Sequence, residues 1–133
     1  MRTDVGVWID RKKAVIVSIA AGDVTTTTLT SDIGAHPHFA GSQEGGGEKK
    51  YEQRHREALD RYFDDVIAQL GRPDALILFG PGEAKLQLRE RLGRSAVSPE
   101  ISVAVEPADR LTEPQIVAKV KEHFGLARPA RQR

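Results

Sequence analysis

The sequence predicts an α/β domain, and three observations carry that prediction. The first thirty residues hold three short β-branched runs separated by tight turns. A continuous apolar run stands in mid-chain, and apolar stripes at helical spacing alternate with strands from there onward.

Val5-Gly6-Val7-Trp8-Ile9 reads as the first strand. Asp10-Arg11-Lys12-Lys13 forms a polar turn, and Ala14-Val15-Ile16-Val17-Ser18-Ile19-Ala20 is the second strand. Gly22-Asp23 turns the chain again into a threonine-rich run from Val24 to Leu29, which suits a β-branched, half-exposed strand. Short turns between the three make an antiparallel meander.

A stretch from about Ser31 to Glu48 follows, with no periodicity and five glycines after Ile33. Loops of that length are uncommon in compact domains unless they serve a function or are disordered. Beyond it, Leu59, Tyr62, Phe63, Val66, Ile67 and Leu70 recur at steps of three and four, the stripe of a helix packed on a sheet. The stripe projects back through His55 to Tyr51, and Gly71-Arg72-Pro73 ends it.

Ala75-Leu76-Ile77-Leu78-Phe79 has no polar residue, as expected of a central strand covered on both faces. Gly80-Pro81-Gly82 turns the chain into a helix over residues 83–92, with Ala84, Leu88 and Leu92 on one side. Ile101-Ser102-Val103-Ala104-Val105 is the last strand. Thr112-Glu113-Pro114-Gln115 then forms a capping-box start for a helix whose buried face is Ile116, Val117, Val120 and Phe124, closed by Gly125. The order is β-β-β-α-β-α-β-α, a mixed sheet with helices against it, which is that of the ribonuclease H-like fold. One domain over residues 1–125 and a basic, frayed tail over 126–133 are expected.

The totals narrow the function. A chain of 133 residues has room for a real core, and a net charge of +1 excludes attachment to nucleic acid by bulk charge while allowing a local basic face. Without cysteine, disulfides and zinc–thiolate sites are excluded. No apolar run approaches a signal h-region or a membrane span, so a cytoplasmic address and no membrane partner are expected.

The chemistry-bearing candidates begin in the long loop. It reads His36-Pro37-His38-Phe39-Ala40-Gly41-Ser42-Gln43-Glu44-Gly45-Gly46-Gly47-Glu48, and the helix opens with Lys49-Lys50-Tyr51-Glu52-Gln53-Arg54-His55-Arg56. Here, and at Phe79-Gly80-Pro81-Gly82-Glu83-Ala84-Lys85, the sequence resembles the middle domain of eukaryotic and archaeal class 1 translation release factors and their relative Pelota. It looks closest to bacterial stand-alone homologues of that domain, and the decoding and C-terminal domains of full release factors are not expected within these 133 residues.

In those factors the loop carries a Gly-Gly-Gln motif that enters the ribosomal peptidyl transferase centre and helps water attack the ester of peptidyl-tRNA. The resemblance therefore implies a translation factor of ribosome rescue, with Gly41-Ser42-Gln43 as the nearest match to the motif and Gln43 as the catalytic candidate. A glutamine amide cannot be a general base; it can only orient water or donate hydrogen bonds. Ser42 stands where the second glycine of the motif would be. The alternative is an ordinary loop on a non-catalytic RNA- or ribosome-binding module, and a third reading is a protein-interaction adaptor.

Lys49, Lys50, Arg54 and Arg56 crowd a helix start, where the dipole ordinarily favours acidic residues. They are the RNA-binding candidates, with ribosome or tRNA as the expected partner. The competing reading is a solvated face laced by Glu52–Arg56, Arg56–Asp60, Glu57–Arg61 and Arg61–Asp65 pairs. Gly80, Gly82 and Lys85 could hold an anion at the next helix start, or simply make a tight turn.

His55, on the apolar stripe, reads as a core-edge residue. His36 and His38 with Glu44 and Glu48 lack a third fixed ligand, so neither metal nor cofactor is expected. Asp10 ends the first strand, where ribonuclease H-like nucleases hold a catalytic aspartate. No acidic residue sits on the fourth strand to join it, so Asp10 is expected to start the hairpin turn.

Overall fold

The computed structural model describes residues 2–31, 47–94 and 102–125, with residues 47–51 as backbone only. Its elements run β1 (Thr3–Ile9), β2 (Lys13–Ala20), β3 (Asp23–Thr30), α1 (Gly47–Leu70), β4 (Ala75–Gly80), α2 (Ala84–Gly93), β5 (Ser102–Pro107) and α3 (Glu113–His123). This is the predicted order. Helix α1 begins two residues before the expected Lys49, a boundary that glycine at its first position leaves weakly marked.

The strands form one sheet in the order β3-β2-β1-β4-β5. The β1–β2 and β2–β3 pairs are antiparallel, and β1–β4 and β4–β5 are parallel. Strand β4 is therefore interior, and Leu76, Ile77, Leu78 and Phe79 are all buried as the unbroken apolar run requires.

Period-two alternation sends the sheet's side chains into two cores. On one face Val5, Val7, Ile9, Leu76 and Leu78 pack against the stripe of α1 and against Ala84, Leu88 and Leu92 of α2. On the other, Trp8, Val15, Val17, Ile77 and Phe79 pack against Ile116 and Val120 of α3. Two helices thus share one face and the third covers the other. Gly6 permits that cover, because a β-carbon there would run into both methyls of Val120 and the Ile77 side chain.

Helix α3 has the predicted capping box. The Thr112 hydroxyl accepts from the Gln115 backbone N–H at 3.3 Å, and the Gln115 side-chain Oε1 accepts from the Thr112 N–H at 2.8 Å. No helix among the described residues is long and apolar enough to cross a membrane.

Candidate functional site

Strands β1 and β4 run in parallel, so Ile9 and Gly80 end at the same edge of the sheet. Three turns meet there. Asp10 is nine-tenths buried and does not act as a free carboxylate. Its Oδ1 accepts from the backbone N–H groups of Lys12 (2.7 Å) and Lys13 (2.8 Å), which closes the hairpin turn as predicted. Its Oδ2 lies 3.3 Å from Arg110 Nη1, on the segment between β5 and α3. The segment itself is pinned by Trp8, whose Nε1–H donates to the Asp109 carbonyl at 3.0 Å.

Gly80 is the hinge of this edge. Its φ is +145°, and a β-carbon would strike the Ile9 carbonyl oxygen, so only glycine lets the ends of β1 and β4 lie this close. Its own carbonyl accepts from the Ala108 N–H at 3.2 Å, tying the third turn to the same point. The result is a groove of about 360 Å³ lined by residues 10–12, residues 81–84 and Arg110.

The structure places the predicted anion-binding residues at this edge. Gly82 has φ +67° and lines the groove. Lys85 is buried, and its ammonium donates to the Gly82 carbonyl at 2.6 Å, closing the turn from within. The cations lining the groove are instead Arg11, Lys12 and Arg110, which belong to no binding motif in the sequence. Their one sequence signal is the polar run Asp10-Arg11-Lys12-Lys13.

The RNA-binding candidates lie on α1 at the same end of the molecule. Tyr62 donates its phenolic proton to the Asp10 carbonyl at 2.9 Å, which sets the height of the helix against the sheet. Burial and the nearby Asp10 carboxylate push the Tyr62 pKa far up, so the phenol stays protonated as a donor. From Tyr62 back to Gly47 the helix rises about 1.5 Å per residue, so on the order of 20 Å of it stands above the level of Tyr62. Among the residues of α1 whose side chains are described, from Glu52 on, the buried ones begin at Leu59.

Arg54 and Arg56 are exposed on that projecting half, and Lys49 and Lys50 lie in its first turn. None of the four expected i,i+4 ion pairs forms. Asp60 and Asp64 reach across to α2 instead, where Arg91 Nε and Nη2 donate to the Asp64 carboxylate at 2.7 and 3.0 Å and Nη1 lies 3.5 Å from Asp60. These hydrogen bonds hold the Asp64 pKa below the usual carboxylate value. Among the described residues no carboxylate pairs with Arg54 or Arg56.

Gly41, Ser42 and Gln43 lie outside the described residues, as do His36, His38 and Glu44 and the Glu48 side chain. His55 is half-buried, as its place on the stripe required. Among the described residues no cluster of three or more His, Asp or Glu could hold a metal.

No protein-family model matches the sequence, and no curated protein matches it. Solved structures do. Pelota of Archaeoglobus fulgidus superposes with a TM-score of 0.53 at 18% identity, over 98% of this chain and 37% of that one. Pelota of Thermoplasma acidophilum gives 0.50 at 18% identity, over 91% of this chain and 32% of that one. An archaeal translation termination factor, aRF1, matches with a TM-score of 0.45 at 14% identity, over 93% of this chain and 40% of that one. The chain spans about a third of the length of the Pelota proteins, and what it shares with them is the fold.

Proposed function

We propose that this chain is a translation-associated factor that binds the ribosome or tRNA through the basic, projecting half of α1. The observation that carries the reading is the pair Arg54 and Arg56, exposed beyond the level of Tyr62 and without a carboxylate partner among the described residues. Lys49 and Lys50, in the first turn of α1, oppose the helix dipole and gain a use when an anion arrives, while Arg54 and Arg56, in the second and third turns, extend the same basic stretch. The Pelota fold and the loop resemblance supply the class of partner.

The finer form is peptidyl-tRNA ester hydrolysis in ribosome rescue. Gln43 would orient the attacking water, Gly41 and Ser42 would shape its loop, and Lys49, Lys50, Arg54 and Arg56 would hold RNA phosphates. Rate would then come from positioning and from the electrostatics of the ribosome. A non-catalytic binding module is the second reading, favoured by Ser42 in place of the motif's second glycine. A cytoplasmic location follows from either.

The test is co-sedimentation with purified ribosomes across a salt series. Wild-type binding should weaken steeply with salt, and Lys49→Glu/Lys50→Glu and Arg54→Glu/Arg56→Glu should each abolish it. Absence of binding at low salt, or equal binding by the variants, would sink the proposal. If binding holds, a peptidyl-tRNA hydrolysis assay with Gln43→Ala divides the two readings. Activity that collapses while binding persists supports catalysis, and no activity in the wild type supports the binding module.

A further inference from the structure

The groove at the sheet edge lies where the chain direction divides. From its C-terminal end β1 leads to β2 on one side, while β4 leads through α2 to β5 on the other. In open α/β sheets such a division leaves a crevice between the two strand ends that no connection fills, and ligands bind there. Here the crevice is real, about 360 Å³, and three separate turns wall it. Gly80, next to the Pro81 wall, carries no side chain, which lets the end of β4 lie close to Ile9 and brings these turns together.

The charges of the walls define the ligand. Arg11, Lys12 and Arg110 face two carboxylates, Asp10 and Glu83. The Asp10 charge is already answered by two backbone N–H groups and by Arg110. Arg11 and Lys12 are exposed and have no carboxylate partner among the described residues. Glu83 caps α2 without a side-chain hydrogen bond, so it is the one acidic group working against an anion.

We infer that this crevice binds a phosphate group, held by Arg11, Lys12 and Arg110 between the β1–β2 turn and the β4–α2 turn. The group could be carried by a small phosphate compound or by an RNA backbone, and the chemistry of recognition is the same. The inference goes beyond the α1 surface and does not require ribosome binding.

The test is a titration of the full ¹⁵N-labelled chain followed by its amide resonances, with ionic strength held constant by chloride. Inorganic phosphate, ADP and a short single-stranded RNA are the three probes. Saturable shifts are expected at the amides of Lys12, Gly82, Glu83 and Arg110. Arg11→Glu/Lys12→Glu should weaken the affinity at least tenfold, and Glu83→Gln should tighten it severalfold. Both changes lie on exposed turns, and the Glu83 variant keeps the test decisive if the double variant does not fold.

Saturation by phosphate and ADP assigns the site to small phosphate compounds, and saturation by RNA alone assigns it to an RNA backbone. Either result sustains the inference. Non-saturating shifts with all three probes, or an affinity indifferent to Glu83→Gln, would overturn it. Saturation by phosphate in a protein that fails to bind ribosomes would leave this site standing while removing the α1 proposal.

Discussion

Tyr62 donates a hydrogen bond of 2.9 Å to the backbone carbonyl of Asp10, joining the middle of α1 to the end of β1 across 52 positions of sequence. One contact thereby fixes two candidate surfaces. It sets how much of α1 stands clear of the sheet, and it braces the turn whose next two residues, Arg11 and Lys12, line the groove.

Tyr62→Phe should cost about 1 kcal/mol, the net value of one hydrogen bond, with the Asp10 carbonyl left short of a partner. The pH dependence carries a second signature. The Tyr62 pKa is raised from its ordinary value of 10.0, so the folded state keeps a proton that the unfolded chain releases. Its contribution is therefore complete below pH 10 and is lost as pH rises above it. Denaturant titrations at neutral and alkaline pH should show wild type losing stability above that point, and Tyr62→Phe losing less.

Gly6→Ala should destabilise the protein by about 1–3 kcal/mol, because α3 must shift or Val120 must leave its rotamer. Val120→Ala opens space for the new methyl. The double variant should therefore cost less than the two single changes together, by about 0.5 kcal/mol or more in a double-mutant cycle. Strict additivity would mean that α3 does not lie against Gly6.

Gly80→Ala places a β-carbon against the Ile9 carbonyl at a φ of +145°. A loss of about 2 kcal/mol or more is expected from strain and collision together. Since Gly80 also receives the Ala108 N–H, the amide shifts of the variant should spread from Ile9 to residues 108–110. Shifts confined to the 80–82 turn would show that the three turns are not coupled through this glycine.

The Arg91–Asp64 pair joins α1 to α2 but is half in water, with the Asp64 side chain 57% exposed. Screening limits Arg91→Ala to about 1 kcal/mol or less. The Asp64 pKa is lowered below its ordinary 3.8, chiefly by the hydrogen bond from Arg91. Its contribution is present above that value and fades as pH falls through the lower, folded-state value. The stability gap between wild type and Asp64→Asn should thus be seen at pH 7 and close in strong acid.

The element order was legible because each element announces itself locally. The stripe from Leu59 to Leu70, the unbroken run from Ala75 to Phe79 and the capping box of Thr112 and Gln115 are all short-range patterns set by backbone geometry. Asp10 as a turn former was likewise readable, since the backbone N–H groups that donate to its carboxylate lie two and three residues on.

Tertiary structure alone decided what those elements present to one another. Periodicity says that a helix has an apolar face, but not that α1 and α2 share one side of the sheet while α3 takes the other. Spacing suggested Asp60 as the partner of Arg56, yet Asp60 turns with Asp64 to Arg91, whose fork offers better geometry than a flexible neighbour one turn away. The groove brings together residues from positions 10, 82 and 110 because parallel strands end at a common edge. No local pattern encodes that edge, since it exists only once β1 and β4 have paired.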